Sequence, residues 1–413
     1  MRRPPLRTHR TWWLGLAVLA TSPAPLAAQR PADPVARRYT FAELFVGGDV
    51  QQLPGASNGA LDVPGRVAPR ITIGGLHFWG HADFAVTFPV GLATRGEGVT
   101  RTMVSTGVET RGRWYVRPRR GDGLSPFVGG GLGGLDLEIG EGPLEARLLP
   151  MVQAGLVWRR GGMLYEAGWS ARPRTSFTYP TSRTTSAVVT PSSHAIFVGA
   201  HRLFETTRGL EPLVKSGAWG RREARLRSAG KLSGPSLAIG VSSPILTGGS
   251  AYSRTERPWL SDRAPGAPML DLGLGWYHDG LDAHVNLAWR RARFESEAFA
   301  FTQAATRRSI ALEAFKFLGD YHGFVPFVGP VVSLERLALE ETDAGQRVTD
   351  VSRDLVAAGV TFGWDIRPTR AQSWLLRTNL RWFPNLRVPL ENGTHSLDQL
   401  EFNFIQLVWY PGR

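Results

Sequence analysis

The sequence predicts an all-β fold, a transmembrane antiparallel up-and-down β-barrel of about 16 strands. Three observations support this expectation. Apolar and polar residues alternate with a period of two through most of the chain. The links between these alternating segments are short and long in turn. No run of about 20 apolar residues follows the first 28 positions, which excludes helical membrane spans and leaves strands to cross a bilayer.

The alternation separates an apolar face from a polar or small face. Residues 281–289 show it, and residues 163–171, 356–366 and 374–382 repeat it. In residues 281–289 the apolar face consists of Leu281, Ala283, Val285, Leu287 and Trp289, and the opposite face of Asp282, His284, Asn286 and Ala288. Such a strand fits between lipid and a polar lumen, whereas a soluble β-sandwich turns its large aromatic residues toward a shared core.

The lengths of the links are an independent signal. Short turns are predicted near residue 80 and at 119–123, 160–162, 279–280, 320–323 and 368–372, and longer loops at 51–66, 94–102, 174–190, 247–267, 295–305, 340–350 and 388–396. Transmembrane barrels of bacteria have short turns on the periplasmic rim and longer loops outside. This regular alternation therefore favours a barrel over a sandwich.

The first 28 residues have the layout of a secretory signal peptide. Four arginines precede an apolar run at residues 12–20, and small residues then lead to a cleavage position near Ala28. The alternative is a single-span anchor, which the shortness of the run and the prolines at positions 23 and 25 disfavour. We therefore expect an exported protein.

Charge and cysteine content exclude several functional classes. The formal net charge is +13, and the four arginines of the signal peptide leave about +9 for the rest of the chain. The basic residues are scattered along the alternating segments, which argues against a nucleic-acid surface. The chain has no cysteine, which excludes thiol nucleophiles, thiolate metal sites and disulfides.

The chain also repeats itself at an offset of roughly 200 residues. The matching segments are Pro-Phe-Val-Gly at 126–129 and 326–329, Gly-Leu at 75–76 and 273–274, Ala-Gly at 154–155 and 358–359, and a histidine before the last strand at His194 and His395. We therefore expect two units of about eight strands, at residues 39–205 and 234–413. A linker at 206–233 on the periplasmic side separates them, either as a solvated connector or as a segment folding into or under the lumen.

These features together resemble bacterial outer-membrane β-barrel proteins over nearly all of the chain that follows the signal peptide. The last strand, residues 401–410, is similar to the aromatic-ended terminal strand that the barrel-assembly machinery recognises, although Pro411, Gly412 and Arg413 follow it here. The resemblance implies the outer membrane of a Gram-negative bacterium as the location. It also implies outer-membrane lipid and the barrel-assembly machinery as partners.

Two arrangements of the strands are open. The two units can merge into one ring of 16 strands, which is the favoured arrangement, or close separately as two tandem eight-stranded barrels. Eight strands leave an interior that side chains fill, whereas 16 strands leave an aqueous channel. The arrangement therefore decides between an open and a filled lumen.

Candidate functional residues lie on both faces of the strands. The predicted lumen-lining charges are Glu109, Arg111, Arg113, Glu166, Arg377 and Arg381, which would either select ions in a channel or pair across a narrow interior. The predicted interfacial girdle consists of Trp79, Trp158, Trp276 and Trp364, beside the short turns. Histidines near the turns are read as rim residues and not as metal ligands.

The favoured functional expectation is a passive, porin-like diffusion channel for small solutes, with anionic solutes as candidates. The alternative is a closed-lumen barrel with a structural or surface-interaction role. A lipid-modifying enzyme that uses His194 or His395 with a serine comes third, because neighbouring residues of one strand point to opposite faces. No catalytic step, cofactor, metal or nucleic-acid partner is expected.

Overall fold

The computed structural model describes the chain from residue 43 to residue 413 with gaps. The described ranges are 43–53, 56–57, 62–63, 66–77, 80–90, 102–105, 108–117, 119, 121–205, 217–261, 266–319, 324–366 and 369–413. The predicted signal peptide at residues 1–28, Trp79 and the first part of the linker lie outside these ranges.

The first half of the described chain is a closed barrel, here called the N-terminal barrel. Its strands are β1 (Glu43–Leu53), β2 (Ala56–Ser57), β3 (Asp62–Val63), β4 (Arg66–His77), β5 (Ala82–Pro89), β6 (Thr102–Ser105), β7 (Glu109–Tyr115), β8 (Gly123–Ile139), β9 (Glu145–Arg160), β10 (Met163–Ala171), β11 (Phe177–Pro180), β12 (Ser186–Val189) and β13 (His194–Glu205). The ring runs β1-β4-β5-β7-β8-β9-β10-β13, and antiparallel pairing of β13 with β1 closes it. The remaining strands form short hairpins or extend β8.

The second half is the C-terminal barrel, preceded by helix α1 (Ala218–Ser228). Its elements are β14 (Gly234–Leu246), α2 (Ala251–Glu256), β15 (Met269–His278), β16 (Ala283–Ala298), β17 (Phe301–Phe317), β18 (Phe324–Asp343), β19 (Gln346–Ile366), β20 (Trp374–Phe383), β21 (Arg387–Leu390), β22 (Gly393–Ser396) and β23 (Gln399–Trp409). Eight of these strands form a closed barrel in the order β14-β15-β16-β17-β18-β19-β20-β23, and β23 pairs with β14 to close it. β21 and β22 form a separate hairpin.

The favoured single ring of 16 strands is therefore wrong, and its alternative, two tandem eight-stranded barrels, is the observed arrangement. Each half brings its own first and last strands together, and glycines at both seams allow the close approach. A Cβ on Gly47 of β1 would collide with the backbone of Ala200 on β13, and one on Gly240 of β14 would lie 2.9 Å from the Ile405 carbonyl oxygen of β23. The all-β, antiparallel barrel class itself is confirmed.

Two predicted loops are also wrong. Residues 295–305 and 340–350 continue the strands, which turn tightly at 299–300 and 344–345. Inward side chains stay buried along these extensions, including Phe294, Phe301 and Leu339. A strand needs only about 9–11 residues to cross a bilayer. The strands β16–β19, of 16 to 21 residues, are therefore longer than a bilayer crossing requires, and the extra length lies on the side of the longer loops.

The outward faces of both barrels carry large apolar side chains. Leu274, Leu312 and Ile310 in the C-terminal barrel and Val128 and Ile196 in the N-terminal barrel are each 51–60% exposed. This is the face that a transmembrane barrel presents to lipid. Among the described residues, no helix is both long and apolar enough to span a bilayer.

The tryptophans of the predicted girdle lie near the short-turn ends of their strands. Trp158, Trp276 and Trp364 each stand two residues before the end of β9, β15 and β19. Trp158 and Trp276 are 42% and 54% exposed, and Trp364 is half-buried. Trp409 and Trp374 are cross-strand neighbours at the same end of β23 and β20. Amphipathic rings at this level suit the boundary between hydrocarbon and headgroups.

Candidate functional site

The interior of each barrel is lined by charged side chains, so the interiors are the first candidate site. In the N-terminal barrel one group of charges surrounds Glu109. This carboxylate accepts a hydrogen bond from Arg70 Nη1 at 2.8 Å and also pairs with Arg172. Arg70 in addition contacts Asp49 and donates to the Gln51 side-chain oxygen at 2.9 Å. Residues from three strands, β1, β4 and β7, and from the loop after β10 are thereby joined across the lumen.

A second group of charges in the same barrel surrounds Glu166 of β10. Its carboxylate accepts from Arg111 at 3.1 Å and from Arg113 at 2.7 Å, and His201 Nε2 lies 3.2 Å away. Arg113 reaches a second carboxylate, Asp83, at 3.0 Å. β7, β5 and β10 are thus connected by ion pairs through the middle of the barrel, and His201 of β13 contacts the same carboxylate.

The C-terminal barrel has an equivalent group, centred on Asp271 of β15. The Asp271 carboxylate accepts from Arg290 Nε at 3.1 Å and from Arg381 Nη1 at 2.7 Å. Arg381 Nε also lies 2.7 Å from Glu313, which contacts Arg290 as well. Glu401 lies 3.7 Å from Arg290. Two guanidinium groups therefore bridge three carboxylates at the centre of this lumen.

Further ion pairs lie above and below this central group. On the side of the longer loops, Arg307 forms a two-point contact with Glu335 at 2.6 and 2.7 Å. On the short-turn side, Arg377 forms a two-point contact with Asp365 at 2.6 and 3.1 Å, with the guanidinium carbon 4.8 Å from the centre of the Phe315 ring. Charged layers thus follow one another along the axis of the barrel.

Apolar side chains close the short-turn ends of both interiors and the loop end of the C-terminal one. At the short-turn end the N-terminal barrel is filled by a cluster of buried apolar residues: Phe45, Leu76, Ala85, Tyr115, Phe127, Val157, Leu164, Phe197 and Leu203. The corresponding cluster of the C-terminal barrel consists of Ala238, Tyr277, Phe315, Phe317, Val325, Phe327, Leu375, Val408 and Tyr410. At the loop end of the C-terminal barrel, Leu386, Val388 and Leu397 from residues 384–398 are fully buried and pack against strand residues. These segments form a cap over that lumen.

The structure places all six predicted lumen residues inside the barrels. Glu109, Arg111, Arg113, Glu166, Arg377 and Arg381 are between 0% and 4% exposed. An arginine that lined an aqueous channel would be accessible to water, whereas these guanidinium groups are covered and matched to carboxylates. A buried charge is stable only when it is paired and hydrogen-bonded. The arrangement therefore fills the lumens.

Several members of these groups were missed from the sequence. Asp49, Arg70, Asp83, Asp271 and Glu313 are as deeply buried as the predicted residues. The signal for them is present, because each lies in a strand whose alternate residues are apolar. A strand-by-strand assignment of the inward face would have found them, but their partners lie on distant strands and have no local signature.

Of the two histidines predicted as partners of a serine, His395 contacts a serine side chain and His194 stacks on a tryptophan ring. His194 is exposed and stacks on Trp169 at 5.5 Å, and among the described residues no serine side chain is hydrogen-bonded to its ring. His395 lies in β22 of the cap, and its Nδ1 is 3.3 Å from Ser253 Oγ of α2. Burial lowers the pKa of His395 to about 4, against a partial opposing effect of Glu341. Ser253 is 1% exposed, so its hydroxyl is covered by the cap.

The second part of the linker forms a helix at the short-turn end of the C-terminal barrel. Arg227 of α1 donates to Asp279 in the β15–β16 turn at 2.7 Å, and this hydrogen bond lowers the pKa of Asp279. Glu223 accepts from Thr369 Oγ1 at 3.1 Å. The helix has no buried residue. It is therefore a surface segment held against the rim of the barrel.

On the opposite side, loops of the two barrels contact each other. Arg183, between β11 and β12, donates to Asp343 at 2.9 Å and lies 4.9 Å from the ring centre of Trp259. The Phe299 amide donates to the Glu141 carbonyl oxygen at 2.9 Å. The loops of both halves therefore form one continuous surface.

Comparison with known proteins gives a likeness of fold. No family model matches the chain, and no curated protein matches it. Among solved structures, Neisserial surface protein A is similar with 15% identity over 43% of this chain and 98% of that chain, at a TM-score of 0.32. The N-terminal β-barrel domain of Pseudomonas aeruginosa OprF has 12% identity, 43% and 99% coverage and a TM-score of 0.23. An outer-membrane channel of Pseudomonas putida F1 has 10% identity, 92% and 99% coverage and a TM-score of 0.22. At these TM-scores none of the three supports a functional inference for this chain.

Proposed function

We propose that this chain is a bacterial outer-membrane protein made of two sealed β-barrels, which acts through its loop-side surface and not as a diffusion channel. The observation that carries the proposal is the filling of both lumens by paired charges. In the C-terminal barrel Arg381 spans from its own strand to Asp271 and Glu313. An eight-stranded ring has an interior just wide enough for such side chains.

The outward faces support the membrane placement. They combine an apolar band with tryptophans near the short-turn ends, as lipid-facing strands do. Both barrels begin and end on the short-turn side, where α1 also lies. In bacterial barrels this is the periplasmic side. The longer loops and the projecting strands β16–β19 then face the outside of the cell.

A porin-like channel, with or without a preference for anionic solutes, would require accessible charges along a continuous aqueous path. The charges described here are instead paired with one another, and the cap at residues 384–398 covers the loop end of the C-terminal lumen. These features favour the closed-lumen alternative. They leave the exposed outer surface as the part of the protein that other molecules can reach.

Single-channel recording tests this proposal. The chain without residues 1–28 is refolded in detergent, its fold is verified by circular dichroism, and it is inserted into planar bilayers in salt beside a general porin as the positive control. We expect silent bilayers with the folded protein and current steps with the porin. Stable current steps of porin size from this chain would overturn the proposal and restore the diffusion channel.

We further propose that the contact between Ser253 and His395 is structural and that the protein is not a lipid-modifying enzyme. The neutral imidazole could accept a proton, but the serine hydroxyl is buried beneath the cap. Incubation with radiolabelled phospholipid in mixed micelles should release no fatty acid. Fatty-acid release that is lost in His395→Gln and kept in His194→Gln would contradict this assignment.

A further inference from the structure

Three arginines form a row on the outward face of the C-terminal barrel. Arg291 of β16 stands opposite Arg308 of β17, and Arg308 stands opposite Arg336 of β18. All three side chains are exposed. Neighbouring strands are about 4.8 Å apart, so the row spans roughly 10 Å. We call these residues the arginine row.

The arginine row lies on the edge of the apolar band. On the same face, two residues nearer the short-turn side of each strand, the neighbours are Trp289, Ile310 and Leu334, which are also opposite one another. They are 45%, 51% and 63% exposed. On the outward face of each strand, an exposed apolar residue is therefore followed by an arginine two positions nearer the loop side. This places the arginines at the depth of lipid headgroups on the loop side.

One carboxylate stands directly opposite the arginine row, because Asp354 of β19 is in register with Arg336, whereas Arg291 and Arg308 have only arginine opposite them on β16–β18. Within the described ranges, Arg291, Arg308 and Arg336 form no ion pair, in contrast to the buried arginines of the lumen. Glu295 and Glu340 lie on the same face, four residues further along their strands, or about 13 Å away. Like charges directly opposite each other on a sheet are destabilising. An anion that contacts adjacent guanidinium groups would remove this repulsion.

We propose that the arginine row binds the phosphate groups of an anionic lipid in the loop-side leaflet. Guanidinium groups bind phosphate through paired charge-assisted hydrogen bonds, and three neighbouring strands present them along one line. The apolar residues directly beneath the row would contact the acyl chains of the same lipid molecule. The inference rests on the proposed function only in placing the loop side in the outer leaflet.

A lipid fits the row better than an acidic protein partner does. The row adjoins the apolar band directly, whereas the surface further from the membrane carries its own acids, Glu295, Glu340 and Asp350, which would repel an acidic chain. Arginine side chains can also extend along apolar surface while their charged ends stay in the headgroup layer. The position of the row beside the apolar band and the acids further from the membrane therefore both favour an anionic lipid as the ligand.

The test compares two triple variants of the full chain after removal of residues 1–28. Arg291→Gln/Arg308→Gln/Arg336→Gln removes the row. The control Arg117→Gln/Arg174→Gln/Arg225→Gln removes the same number of exposed arginines elsewhere. Each protein in detergent is titrated with diphosphorylated lipid A, with the same lipid stripped of phosphate, and with inorganic phosphate. Native mass spectrometry counts the bound molecules, and heat-modifiable migration in gels verifies the fold.

We expect the parent and the control variant to bind diphosphorylated lipid A, and the row variant to bind it on the order of a hundredfold more weakly, since each arginine near an anionic headgroup contributes about a factor of five. Equal binding by the two variants would overturn the proposal. Equal binding of the phosphate-free lipid, or binding of inorganic phosphate as tight as that of the lipid, would also overturn it. Retention of an acidic polypeptide in place of the lipid would point to a protein partner instead. Because the measured quantity is bound lipid, a conducting barrel would contradict the proposed function and leave this result unchanged.

Discussion

Arg381 on β20 donates from Nη1 to the Asp271 carboxylate on β15, at 2.7 Å, across the interior of the C-terminal barrel. β14 and β23 separate these two strands in the ring. The contact is therefore made through the lumen and not along the wall. Together with Arg290, which reaches the same carboxylate from β16, it ties opposite parts of the barrel together.

The ion pair between Arg377 and Asp365 allows the energetic role of the lumen charges to be measured. Arg377→Met should cost about 3–5 kcal/mol of unfolding free energy, because it leaves Asp365 buried and unpaired, and Asp365→Leu should cost a similar amount. The double variant should be more stable than either single variant. Urea unfolding in lipid vesicles measures all three. Simple addition of the two losses would contradict the account.

The exposed pair of Arg347 and Asp350 is the matched control for this cycle. Its side chains are 61% and 51% exposed, and their atoms are 2.5 Å apart. Solvent and salt screen such a pair. Arg347→Met and Asp350→Leu should therefore show no measurable coupling.

The lipid-facing band can be tested with one pair of substitutions. Leu312 on β17 and Val348 on β19 are equally exposed, at 53% and 52%, but Leu312 lies within the apolar band and Val348 at the projecting tip. Leu312→Arg should destabilise the barrel in lipid vesicles by about 2–4 kcal/mol, as an arginine at the bilayer midplane does. Val348→Arg should have almost no effect. Equal effects would show that neither face contacts hydrocarbon.

The cap of the C-terminal barrel should loosen in acid. Burial lowers the pKa of His395 to about 4 from the ordinary value of 6.5, so folding favours the neutral imidazole. The resulting stability is present above pH 6.5 and is lost as the pH falls through 4. A fluorophore on Asn392→Cys, in a chain that otherwise has no cysteine, reports the opening. His395→Gln should remove the transition and His194→Gln should keep it; an unchanged transition in His395→Gln would assign it to another group.

The sequence was sufficient for the class of fold. The period-2 pattern of residues such as 281–289 predicts strands with one lipid-compatible face, and β16 has this alternation of burial. The loops predicted at 295–305 and 340–350 are instead the ends of strands. Glu295 and Glu340 are outward residues of strands that continue above the membrane level.

The closure of the sheet could not be read from the sequence. Pairing of β1 with β13 joins residues about 150 positions apart, such as Val50 and Val198, and both lipid-facing side chains would suit other neighbours equally well. The ion pairs inside the lumen could not be predicted from the sequence either. The polar faces predict where Arg377 and Arg381 point, but their carboxylate partners depend on which strands close the ring.

The central claim is that each half closes on itself, because the filled lumens follow from rings of eight strands. The most direct test is cross-strand disulfide formation at the seam of the N-terminal barrel. Val50 and Val198 are directly opposite each other on β1 and β13, and both face outward. In refolded Val50→Cys/Val198→Cys we expect mild oxidation to form the disulfide within one chain, detected by mass spectrometry of the peptides. Ile239→Cys/Leu407→Cys, at the seam of the C-terminal barrel, should behave in the same way. Failure of both pairs to cross-link in folded protein would contradict separate closure and favour one large ring with an open lumen.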